Sequence, residues 1–134
     1  MCKNIESILS EKGRCVINTN GDSMWPTIKS GRDKILILPP ENISKNDIVL
    51  FKNNNTFTLH RVIKICDGFL ITRGDNYNET EKISFDKIIG KADGIYGKKK
   101  FYSCNSLYIK SKYFIRRLFS PLIIFYRKRS KKHE

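Results

Sequence analysis

Between residues 14 and 96 the apolar side chains fall into short runs separated by turn formers, a pattern that leaves little room for a helical body. The runs at 14–18 (RCVIN), 34–38 (KILIL), 47–52 (DIVLFK), 57–65 (FTLHRVIKI), 68–72 (GFLIT) and 87–96 (KIIGKADGIY) read as strands. They are rich in Ile, Val and Phe, and Gly, Pro, Asn and Asp punctuate them. Residues 58–65 come near strict alternation, so that strand should have one buried and one exposed face. Asn53-Asn54-Asn55 is the expected hairpin tip. Ile5, Ile8 and Leu9 add the spacing of a short amphipathic helix over residues 4–12. Many short strands with no long helix between them predict a mostly β fold, a small barrel or sandwich.

A chain of 134 residues predicts a single domain, and 40% hydrophobic residues exclude a disordered polycation. The net charge of +13 first suggests a nucleic-acid-binding module. Its distribution argues otherwise. Residues 1–96 hold 14 basic and 12 acidic side chains, whereas residues 97–134 hold 12 and 1. A nearly neutral β domain over 1–96 should therefore precede a basic, aromatic-rich tail over 97–134, with Lys98-Lys99-Lys100 ending the β body. In that tail YFIRRLFSPLIIFY at 113–126 is broken by Arg116-Arg117 and Pro121, and RKRSKKH follows at 127–133. The apolar run is shorter than the roughly 18 residues of a spanning helix. Two readings stay open: a segment lying on an anionic membrane surface, or a helical tail packed on the barrel with a solvated basic end. Nucleic acid is not the expected partner.

Cys2, Cys15, Cys66 and Cys104 are widely spaced and form no C-x-x-C pair, which argues against zinc and fits a reducing compartment. Neither a metal nor another cofactor is expected. Residues 1–10 lack the apolar core of a signal peptide, so the expected location is the cytoplasm, peripheral at the cell membrane through the tail, with insertion as the alternative.

The most informative segment is Gly21-Asp22-Ser23-Met24-Trp25-Pro26-Thr27-Ile28, followed by Gly31-Arg32-Asp33. Taken alone, it is a turn that presents a serine. A serine hydroxyl is a weak nucleophile until a base takes its proton, and backbone N–H groups of a tight turn can form part of an oxyanion hole.

The pattern G-x-S-M-x-P-T-I-x-x-G-x-D resembles the serine motif of the signal peptidase superfamily of S24/S26-type serine peptidases, which includes self-cleaving repressors. Further boxes follow in order. Asn46-Asp47-Ile48-Val49-Leu50-Phe51 is similar to the family's G-D-I-V-x-F strand, with Asn46 in place of Gly. Leu59-His60-Arg61-Val62-Ile63 resembles the segment that carries the general base. Ile71-Thr72-Arg73-Gly74-Asp75-Asn76 resembles the K-G-D-N box, and Ile89-Gly90-Lys91 the closing G-K strand. The resemblance spans residues 15–96.

At the base position most bacterial signal peptidases and the repressors have Lys, whereas this chain has His60. That resembles the subgroup of endoplasmic-reticulum, archaeal and some sporulation-type enzymes. Histidine, with an unperturbed pKa of about 6.5, supplies a neutral base without deep burial. The resemblance implies Ser23 as nucleophile and His60 as general base. Lys64, four residues on and expected on the same strand face, is the fallback. His-type relatives carry an orienting acid after the G-D-N turn. Counting along the motif favours Glu81, with Glu79 and Asp75 as rivals. Asp22, Met24 and Pro26 should shape the site, while Asp33 and Asp47 should stabilise turns. The function implied is a serine endopeptidase of signal-peptidase type acting on leader-like peptides. The alternatives are a self-cleaving repressor-like domain, and an inactive peptidase-fold binding module whose basic tail touches lipid or nucleic acid.

Overall fold

The computed structural model describes residues 4–120. Helix α1 (Ile5–Lys12) starts where the Asn4 side chain accepts the Glu6 N–H and stops at Gly13, whose φ of 71° provides a left-handed cap. The strands that follow are β1 (Cys15–Asn18), β2 (Lys34–Leu38), β3 (Ile48–Asn53), β4 (Thr56–Cys66), β5 (Phe69–Arg73) and β6 (Glu81–Ser84). After a short 3-10 turn come β7 (Ile88–Tyr96), β8 (Phe101–Ser103) and helix α2 (Leu107–Leu118). All pairings are antiparallel, in the order β1-β2-β7-β3-β4-β5-β6, with β8 paired to the last residues of β7. The described residues are mostly β, with a short helix before the first strand and another after the last, as the sequence pattern predicts.

The continuous apolar run of β3 has a direct physical reason. Ile48 and Leu50 enter one core cluster with Met24, Ile28, Ile35, Ile37 and Ile95, while Val49 and Phe51 enter a second with Val62, Leu70 and Ile83. Both faces of this central strand are covered, so neither alternates with polar residues. Asn54 and Asn55 form the two-residue loop between β3 and β4, and Asn54 adopts the positive φ such a loop requires.

Two elements depart from the expected pattern. Strand β6 (EKIS) has one buried apolar residue, Ile83, and owes its existence to pairing with β5 rather than to its own propensity. The lysine triplet does not end the sheet. Lys98, Lys99 and Lys100 sit in an exposed turn closed by the Gly97 N–H to the Lys100 carbonyl, and β8 follows it. A turn places three ammonium groups in water while its backbone returns to the sheet.

Helix α2 packs on the body, and Ile109 joins the main core. Residues 121–134, and with them the last six residues of the 113–126 segment and the whole of 127–133, lie outside the described residues. No helix among the described residues is long and apolar enough to cross a membrane. Cys15, Cys66 and Cys104 are free thiols. Burial pushes the Cys15 thiol up and the Cys104 thiol up to about 12, so neither is a thiolate near neutrality.

Candidate active site

Ser23 sits in the turn that follows β1. Gly21 opens this turn at φ 79°, and the Trp25 N–H to Asp22 carbonyl and Ile28 N–H to Met24 carbonyl bonds coil it. Met24 and Ile28 anchor it in the core, while Ser23 remains half-buried at the surface. The loop ends where Asp33 accepts the Lys29 N–H at 2.8 Å, and Asp47 likewise accepts the Ser44 N–H at 2.7 Å. Both aspartates hold turns, as their positions suggest.

The G-D-N box clips this loop from behind. The Asn76 N–H donates to the Ser23 carbonyl at 2.9 Å, and Asn76 Nδ2 donates to the Asp22 carbonyl at 3.0 Å. Tyr77 Oη donates to the Asp22 carboxylate, which ties down the exposed side of the turn. Gly74 is where the pieces converge. A Cβ placed on Gly74 would lie 2.6 Å from the Ser23 carbonyl oxygen, and 3.2 Å from both Ser23 Cβ and His60 Nε2. The absent side chain is what lets the serine turn and the histidine approach each other.

His60 projects from the middle of β4, edge-on to Phe51 at 5.7 Å between ring centroids. Its Nδ1 contacts the Glu81 carboxylate at the start of β6. Ser23, His60 and Glu81 line one cavity of about 620 Å³, together with Ile17, Met24 and Leu59. The three candidate catalytic residues therefore share one site. Among the described residues no cluster of three or more His, Cys, Asp or Glu is placed to hold a metal ion.

The rival acids lie elsewhere. Glu79 is exposed in the 77–80 segment. Asp75 is only 1% exposed and receives Arg61 Nε and Nη2, both at 2.8 Å, as well as the Thr27 hydroxyl at 2.5 Å. Arg61 also donates to the Asn46 carbonyl at 2.7 Å and stacks on the Tyr113 ring at 4.2 Å. Burial by itself would lower the Arg61 pKa. The hydrogen bond and charge of Asp75, with smaller contributions including Tyr113, outweigh burial and raise it, so Arg61 stays charged. Asn46 has φ 76°, a left-handed conformation that favours Gly and that Asn tolerates.

Lys64 does not share the histidine's face. A β-bulge between Val62 and Lys64 inserts Ile63 opposite β5 and breaks the alternation, leaving Lys64 exposed and outside the cavity lining. Pro26, whose peptide bond with Trp25 is cis, and Met24 lie within the serine turn.

Sequence reasoning missed the contribution of α2. Arg116, 2% exposed, donates Nε to Asn76 Oδ1 at 3.1 Å and Nη2 to the Asn76 carbonyl at 2.7 Å. Arg117 donates to the Tyr77 carbonyl, and Ser120 to the Asn78 side chain. The basic pair reads as a break in an apolar run, and its depth is invisible without knowing which face of α2 meets the loop.

A mostly β body in which a serine turn and a histidine–carboxylate pair line one cavity is the arrangement of a peptidase-fold protein. The Peptidase S24-like family model matches residues 4–93, and the chain belongs to that family. No curated protein matches the chain.

Proposed function

We propose that the protein is a serine endopeptidase of signal-peptidase type with a histidine base. Ser23 Oγ attacks the scissile carbonyl. His60 Nε2 takes its proton and returns it to the leaving amine, and Glu81 holds the other ring proton on Nδ1, which keeps Nε2 free to act. The observation that carries this reading is the single cavity lined by Ser23, His60 and Glu81, with His60 Nδ1 engaged by Glu81 and Nε2 turned toward the serine turn at Gly74. Backbone N–H groups of the serine turn are the candidates for stabilising the oxyanion.

The substrate is an extended, leader-like peptide. Strand β1 is an edge of the sheet and its Ile17 and Asn18 line the same cavity, so a peptide adding to that edge would run past Ser23. Family membership rests on residues 4–93 and leaves the histidine-base subgroup and the substrate as parts of this proposal. The test is cleavage of a panel of leader peptides, followed by mass spectrometry. Ser23→Ala should lower turnover by at least about 10³-fold with unchanged circular dichroism. Cleavage by that variant at the wild-type rate would refute the proposal, and Ser23-dependent cleavage of the chain itself alone would favour the repressor-like reading.

A further inference from the structure

Helix α2 is oriented opposite to a helix packed on a core in water. Its inward face carries Ile109, Tyr113, Arg116 and Ser120, and the contacts of Arg116 with Asn76, of Ser120 with Asn78 and of Arg73 with the Tyr113 hydroxyl fix its rotation. The larger apolar residues are left outside. Leu107 is 85% exposed, Phe114 62%, Ile115 56% and Leu118 76%. At about 100° per residue these four fall within one sector of roughly 100°, a stripe that they share with the small exposed Ser111. Lys110 and Lys112 lie on either side of it, and helix residues 107–118 contain no acid.

We propose that this outer face of α2 docks in the plane of an anionic lipid surface. The stripe would enter the acyl boundary while Lys110 and Lys112 extend to the phosphates. Charge complementarity selects this occupant: apart from Arg116 and Arg117, which turn inward, residues 97–134 contain ten basic side chains and one acidic one. A nucleic acid would match the charge but not four exposed apolar side chains in a row. The helix lies beyond the residues matched by the family model, so the surface is a feature of this chain and stands independently of the peptidase reading. Since Arg116 and Arg117 on the same helix hold the 76–78 segment, docking would also bring the Ser23 turn close to the lipid surface.

The test is co-sedimentation of the full chain with vesicles of phosphatidylcholine alone or with about 30% phosphatidylglycerol. Wild type should partition at least about tenfold more strongly to the anionic vesicles. The variant L107S/F114S/I115S/L118S should lose at least about tenfold of that partitioning, with wild-type melting temperature and circular dichroism because the four side chains already face water. K110E/K112E should lose the preference for the anionic vesicles. Equal partitioning by wild type and the serine variant would overturn the proposal. So would failure of wild type to sediment with either vesicle, including the case in which sedimentation velocity shows the stripe pairing two copies of the chain.

Discussion

The two sides of the serine turn are built from different materials. On the cavity side Ser23, His60 and Glu81 form a small polar group in which Glu81 keeps a third of its side chain in water. Behind the turn Asp75, Arg61, Thr27, Asn76 and Arg116 are almost fully buried and joined by hydrogen bonds and the Arg61–Asp75 ion pair. The residues of the rear lattice are poor reagents: Asp75 is committed to a guanidinium and a hydroxyl. The residues of the cavity side are available because fewer partners hold them. The loop that carries the nucleophile thus draws its rigidity from one side and presents its chemistry on the other.

Substitutions can separate the two sides, beginning with the largest effect. Glu81→Gln should lower kcat by about 10²- to 10⁴-fold, as loss of an orienting acid does in serine triads, with little change in melting temperature. Glu79→Gln should stay within about twofold of wild type, and equal losses in the two variants would erase the assignment of Glu81. On the rear side, Arg61→Ala should cost about 3–5 kcal/mol in denaturant unfolding, because it removes the ion-pair partner of the buried Asp75 and leaves it only the Thr27 hydroxyl. A loss below about 1 kcal/mol would mean that the rear lattice does not brace the turn.

Gly74→Ala tests the seam between the sides. The added methyl must displace the Ser23 carbonyl, and a shift near 1 Å should reduce kcat by about 10²-fold while stability falls by about 1–3 kcal/mol. Smallest on the rear side is Arg116→Ala, which should destabilise by about 1–3 kcal/mol through the lost hydrogen bonds to the buried Asn76. If it also lowers kcat, with partial rescue in Arg116→Lys, then α2 positions the serine turn as well as stabilising the fold.

Much of this is legible in the amino-acid sequence. The strand runs, the helix at residues 4–12 and the hairpin at Asn54-Asn55 follow from local alternation and turn chemistry. Gly21, Asp33 and Asp47 could be located because a turn restricts residue type at the position itself, whereas Gly74 was marked only by the resemblance of its box to the family's. Strand β6 could not, since EKIS has almost no pattern of its own. Nor could β8, hidden behind three lysines whose charges say nothing about whether their backbone forms a turn.

Residue identity in the ordered boxes was enough to nominate Ser23 and His60, because the demands of a turn, a nucleophile and a base are local. Which acid meets the histidine, which aspartate is consumed by a buried arginine, and which way α2 faces are not local properties. They depend on register across β4, β5 and β6, where one inserted residue at Ile63 reverses a face, and on a helix whose rotation is fixed by arginines reaching a loop 40 residues away in sequence. Distances of a few ångströms across a sheet are set by pairing and packing, and spacing along the chain does not encode them.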